Sequence, residues 1–252
     1  MDRKNQWLID LSREDIWAEN LEDIPSMIHF AYIQLKNLTE NGQVYGVLLQ
    51  TKDCYESLYK IPVLMALIIL ENNPENKDKK DYAEIIRTAL GSPMSMGQWD
   101  KLAWTIVKKG KALQLPSYLI MILRKTRELY EKEVSADCSD IVNWRNNAIG
   151  YGAVRFEDDP AYQEEIRNLL VHLREYFEND DVNSLYGNAF FLSGEKKLIG
   201  NNDFVPAEAD KISLCVDGRG YTVENYIDDN TVFLKLDCIS KTYSKKSDNS
   251  VR

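Results

Sequence analysis

The stretch Asn143-Trp144-Arg145-Asn146-Asn147-Ala148-Ile149-Gly150-Tyr151-Gly152 puts a permanent cation, several amides, a phenol and two glycines within ten residues. A guanidinium offers a planar fork of donors that fits the oxygens of phosphate or carboxylate. The glycines allow the chain to reverse, so that Tyr151 folds back towards Arg145 and Asn146 at one helix end. The same residues also have a purely structural reading, in which Arg145 bonds helix-end carbonyls or pairs with Asp140 or Glu157, and Asn147 and the glycines stop a helix.

A second arrangement, Arg167-Asn168-Leu169-Leu170-Val171-His172, does carry an imidazole. On an uninterrupted helix, positions five apart differ by ~140°. Arg167 and His172 are therefore expected on opposite flanks of an apolar stripe. His29, on an amphipathic helix, reads as structural. Glu56, Asp158-Asp159 and Glu164-Glu165 fall at helix starts or on polar faces, where solvated carboxylates belong. There is no G-x-x-x-x-G-K-[ST] phosphate loop and no G-x-S-x-G elbow. Cys54, Cys138, Cys215 and Cys238 are scattered, and His29 and His172 are the two histidines, so no zinc site and no cofactor are expected.

The Arg145 stretch resembles the Arg-polar-(x)n-His motif of HEPN domains, helical bundles that include metal-independent RNases and RNA-binding partners in bacterial toxin-antitoxin and antiviral defence systems. In that family the arginine is followed by a polar residue, often Asn, and by a histidine a few residues on. Arg145 and Asn146 match the first two positions, and Tyr151 stands where the histidine belongs. RNA cleavage without metal needs the 2′-OH deprotonated and the leaving oxygen protonated; an imidazole with a pKa near ~6.5 does both, whereas a phenol near ~10 stays protonated. By the resemblance, Tyr151 would instead stack on a base or donate to phosphate. The resemblance implies a helical bundle with a degenerate site at Arg145, Asn146 and Tyr151, which binds RNA or a protein partner without catalysis. It leaves two alternatives: a metal-independent ribonuclease using Arg145 with Tyr151 or Arg167 with His172, and a protein-protein adaptor. It further implies a homodimer with paired sites and a possible downstream kinase or NTPase module. Trp99, Trp104 and Trp144 are candidates for the dimer contact, with core packing as the competing explanation.

The elements that must position these residues read as mainly α: a helical bundle over 1–180, a small antiparallel β unit over 181–240 and a polar tail over 241–252. Asp23 and Pro25 suit a helix start before Ile28, Leu35 and Leu38, with Asn41-Gly42 as the stop. A long apolar helix follows from about Val44 to Leu70, in which Pro62 is expected to cause a kink or a break. Ser95 and Gln98 have capping-box spacing ahead of Trp99, Leu102, Ala103, Ile106 and Val107. Pro116 opens another helix, Ser139 or Asp140 the next, and Asp159-Pro160 a last one bearing Tyr162, Ile166, Leu169, Leu170, Leu173 and Phe177. Beyond Asn179-Asp180-Asp181, segments 189–192, 212–216 and 231–236 read as strands.

Composition supports this frame. Hydrophobic residues make up 44%, with 12 glycines and 7 prolines, a balance suited to a packed chain and not to a linker-rich one. The formal net charge of −9 disfavours broad duplex binding and leaves room for a few local RNA contacts. The N-terminus lacks the apolar stretch of a signal peptide, which makes a cytoplasmic location the expectation. Ile61 to Leu70 is too short for the ~20 residues of a membrane helix, so it is expected in the core.

Overall fold

In a computed structural model of the chain, residues 5–19, 21, 24, 26–90, 94–150 and 160–189 are described, with the backbone alone for strand segments between 191 and 232. The described body is helical: α1 (Gln6–Leu11), α2 (Ser26–Glu40), α3 (Val44–Asn72), α4 (Lys80–Leu90), α5 (Met96–Lys109), α6 (Ser117–Tyr130), α7 (Ile141–Arg145), α8 (Pro160–Phe177) and α9 (Asp180–Ala189). Among the described residues, no helix is long and apolar enough to cross a membrane.

Helix α3 is the axis of the bundle. Val63, Leu64, Met65, Ala66 and Leu67 are buried in succession, and a helix buried on every side needs neighbours on every side. It has them in α2, α5, α6 and α8. Pro62 lies inside this helix without ending it, since α3 runs unbroken from Val44 to Asn72. Of the kink or division expected at Pro62, the division does not occur. A proline inside a helix costs about 3 kcal/mol, and the apolar burial of both halves of α3 offsets that cost.

Two local devices set the entry to α3. Gly42 has φ +63°, its N–H bonds the Thr39 carbonyl at 3.0 Å, and Gln43 N–H bonds Leu38 O at 3.0 Å, the paired bonds that close a helix through a left-handed residue. The Asn5 amide then donates to Gly42 O at 2.8 Å and ties the start of α1 to this turn. Further along, the Ser95 N–H donates to Gln98 Oε1 at 2.7 Å, which realises the predicted capping pair ahead of α5. The α5 stripe Trp99, Leu102, Ala103, Ile106 and Val107 is buried, as is the α8 stripe Tyr162, Ile166, Leu169, Leu170, Leu173 and Phe177.

The core is rich in phenols whose hydroxyls find partners on other helices. Tyr55 donates to Leu169 O at 3.0 Å and Tyr130 donates to Tyr55 O at 2.8 Å, which links α6 to α3 and α3 to α8. Tyr59 donates to Asp100 Oδ1 at 2.8 Å. The Tyr176 hydroxyl lies 2.9 Å from Thr126 Oγ1 and 3.2 Å from the Tyr186 hydroxyl, which fastens α9 to α6 and α8.

Two carboxylates expected in solvent are instead buried. Glu56 is 4% exposed and sits between Lys52 (3.2 Å) and Lys60 (2.7 Å), each one turn away on α3. Glu165 is 2% exposed and accepts from Ser135 Oγ at 3.3 Å. The lysine stems and nearby hydroxyls carry these carboxylates into places that their residue type alone would not suggest.

The helical body also extends further than the 1–180 expected, because α9 occupies Asp180–Ala189. Asn179 caps it, with Oδ1 accepting the Val182 N–H at 3.2 Å. Most of the β unit expected over 181–240 falls outside the described residues. Of it, the antiparallel backbone pairing of Lys211–Val216 with Arg219–Glu224 is described, and the unit as a whole stays an expectation.

Replacing Tyr55 by Phe removes one buried hydroxyl without opening a void. Urea unfolding is expected to show a loss of about 1 kcal/mol, the net worth of such a bond. Leu169→Ala, which leaves a cavity in the same layer, is expected to cost about 2–5 kcal/mol.

Candidate functional site

The site proposed from sequence lies where α7 ends. Asp140 caps the helix: Oδ1 accepts the Asn143 N–H at 2.9 Å, while Oδ2 accepts from Ser139 Oγ at 2.8 Å and from Asn143 Nδ2 at 2.8 Å. Both oxygens are thus engaged locally. The structural alternative in which Asp140 neutralises Arg145 does not hold.

Past Arg145 the chain widens into a π-helical segment, Asn146–Gly150, a form that often accompanies functional positions. Trp144 and Ala148, 1% and 3% exposed, anchor its inner side. Arg145 and Asn146 are half-buried beside them, and Asn147 is exposed. The structure brings Arg145 and Asn146 together, with Arg145 Nη1 donating to Asn146 Oδ1 at 3.2 Å. Arg145 Nε is buried with no hydrogen-bond partner among the described residues. Tyr151 and Glu157 lie outside the described residues, and with them the convergence of Arg145, Asn146 and Tyr151.

Asn143 and Asn147 also face a cleft of about 470 Å³ that is lined as well by Glu131, Glu133, Ser135 and Asp137. Arg127 holds one of its carboxylates, with Nε 2.8 Å from Glu131 Oε1. This acidic side repels phosphate, so any anion at Arg145 must approach from elsewhere on the turn.

Arg167 and His172 have different neighbours. Arg167 pairs with Glu14, its Nη2 2.8 Å from Oε2, against the loop after α1. His172 is half-buried on α8, within electrostatic reach of Lys132 and Glu175. Their divergence follows the ~140° expected for five helical steps. His29 is 5% exposed and lines a separate cleft of about 720 Å³ with Trp17, Glu19, Ile33 and Lys36.

Of the tryptophans considered for a dimer contact, two belong to the core and Trp104 packs, partly buried, against it. Trp99 and Trp144 are 4% and 1% exposed. Trp104 is covered by cations, with Arg127 Cζ 4.4 Å and Lys108 Nζ 5.0 Å from its ring centre. Sequence reasoning missed instead a set of exposed apolar side chains, Phe30, Tyr45 and Leu49. Phe30 breaks the polar side of α2 in a way that periodicity alone could have flagged.

Burial lowers the His172 pKa, the Lys132 ammonium lowers it further, and Glu175 opposes both. The folded protein therefore prefers neutral His172, and its contribution to stability is present above the unfolded value near ~6.5 and is lost as pH falls through the lower folded value. Urea midpoints measured from pH 7.5 down to pH 5 should fall less steeply for His172→Gln than for the natural chain. No family model, curated protein or solved structure matches this chain.

Proposed function

We propose that the chain is a non-catalytic HEPN-like helical module that takes a phosphate of single-stranded RNA at Arg145, in a bacterial defence or stress-signalling system. The observation that supports this reading is the charge of Arg145, which no carboxylate among the described residues neutralises. Of the other half-buried arginines among the described residues, Arg127 and Arg174 each pair with a carboxylate. Arg145 is held by one neutral amide at 3.2 Å, with no carboxylate partner among the described residues. A half-buried guanidinium in that condition is screened less than a surface one and gains from an anion. RNA as the source of that anion comes from the resemblance, and so does the absence of catalysis, since Tyr151 stands in the histidine position.

The test is fluorescence anisotropy with a labelled single-stranded RNA at low salt. Arg145→Ala is expected to abolish binding or to weaken it at least tenfold, with an unchanged circular dichroism spectrum. Any residual binding should show a salt slope smaller by about 0.7, the value for one phosphate contact on a single strand. Equal affinity of the natural chain and Arg145→Ala would overturn the assignment. Incubation with RNA in the absence of metal is expected to leave the RNA intact. Cleavage abolished by Arg145→Ala or His172→Ala would establish the ribonuclease alternative. Stable capture of a defined kinase or NTPase subunit with no affinity for RNA would establish the adaptor.

A further inference from the structure

We infer that the outer face of the α5–α6 hairpin holds the phosphate backbone of a single-stranded nucleic acid, ribose or deoxyribose alike. The inference is carried by charge and goes beyond the one phosphate placed at Arg145. Residues 101–127 contain seven lysines and arginines and no Asp or Glu. This span is therefore +7 in a chain of net charge −9, which leaves −16 on the remainder. Three of the seven are engaged: Lys109 with Asp81 and Glu84 of α4, Lys125 with Glu128, and Arg127 with Glu131. Lys101, Lys108, Lys111 and Arg124 are exposed, and none of them has a carboxylate partner among the described residues.

The hairpin brings these cations to one side. Arg127 Cζ lies 4.4 Å from the Trp104 ring centre, and Ile120 lies against Gly110, so these residues mark where α5 and α6 meet. At ~100° per residue, Lys101 and Lys108 stand ~40–60° beyond Trp104, and Arg124 stands ~40–60° beyond Ile120 and Arg127, in the same rotational sense. Because the short turn makes the helices antiparallel, equal senses bring all three cations to one face. Lys101 and Lys108 are ~10 Å apart along α5, and Lys111 follows in the turn. Helix α7 borders this face at its Lys101 end, where a Cβ on Gly97 would lie 3.4 Å from Val142 Cγ1.

Charge complementarity selects a polyanion as the occupant, because positive charge concentrated on one face of an acidic chain draws the opposite sign to that face alone. A bilayer would need apolar side chains to insert, and Met121 is the one large apolar residue exposed on this hairpin among the described residues. An acidic peptide would use the cations and leave the indole idle. Trp104 lies between Lys101 and Lys108 on α5, with Lys108 Nζ 5.0 Å from its ring centre. A lysine that swings from the ring to a phosphate uncovers aromatic surface for a base, the combination of cations and stacking surface that single strands require. Such contacts go to phosphates and base faces, so they carry no sequence and do not read the 2′-OH.

Fluorescence anisotropy of the full chain with labelled oligo(dT) and oligo(U) of ~20 nucleotides, longer than the site of one single-strand module, tests this. Both strands should bind with equal affinity at low salt. Lys101→Gln, Lys108→Gln and Arg124→Gln combined should weaken both at least tenfold and reduce the salt slope by about 2, for three lost phosphate contacts, with unchanged circular dichroism. Arg13→Gln, Lys36→Gln and Lys80→Gln combined, an equal change of charge elsewhere, should leave the affinity in place. A natural chain that binds neither strand, or oligo(U) alone, overturns the proposal, and so does a control that weakens binding as much as the α5–α6 variant. Adsorption to phosphatidylserine vesicles with no affinity for oligo(dT) overturns it in favour of a membrane surface. Arg145→Ala separates the two sites. Binding lost there and kept in the α5–α6 variant overturns this proposal, whereas binding kept there and lost in the α5–α6 variant upholds it and overturns the Arg145 reading.

Discussion

A phenol sealed from water is costly unless something inside the protein accepts its proton, and this bundle is organised around that requirement. Tyr55, Tyr130 and Tyr186 are completely enclosed, and burial pushes their hydroxyls well above the usual phenol range. Tyr176 is pushed up to about 12 by the same cause. They therefore remain neutral donors under ordinary conditions. Each donor also measures position. Rotating α3 by one residue would turn Tyr55 ~100° away from Leu169 O, so the hydroxyl contacts specify a single register that apolar packing alone would define more loosely.

Outside that core, several charges tie one element to another. Arg167 and Arg174 reach from α8 to Glu14 and Asp15 and hold the loop after α1. Lys109 joins α5 to α4 through Asp81 and Glu84. Single surface pairs of this kind contribute little stability, but they fix which side chains are already taken. Arg145 differs from Arg127 and Arg174, the other half-buried arginines, in having no carboxylate partner among the described residues, and the nearest carboxylate in sequence, Asp140, is committed to capping α7. The helix start and the helix end are thus linked: the cap that satisfies a backbone N–H group occupies the carboxylate nearest in sequence to the cation at the other end.

Much of this was legible in the sequence wherever the signal was local. The Ser95 and Gln98 pair, the apolar stripe of α8 and the Asp140 cap follow from spacings of three or four residues, and the structure contains all of them. Signals that depended on partners distant in sequence were not legible. The continuity of α3 through Pro62 rests on helices that arrive later in the chain, and the burial of Glu56 depends on how α3 is enclosed. Helix α9 was legible in principle, since Asn179 followed by Asp180 and Asp181 has the composition of a capped helix start, yet the same residues also suit a turn. At the site, the proximity of Arg145 and Asn146 could be read from adjacency. The lack of a carboxylate partner for Arg145 among the described residues could not, because it depends on where Asp140 and the carboxylates of other elements are engaged.

The phenol ties also bear on how the bundle opens. Tyr130, Tyr55 and Leu169 form a relay from α6 through α3 to α8, and Tyr176 with Tyr186 extends it to α9. No one of these helices can swing out without exposing an acceptor or donor on another. Amide hydrogen exchange in them should therefore proceed through a common, near-global opening, whereas α1, held at its start by Asn5 against the Gly42 turn, can detach as a smaller unit.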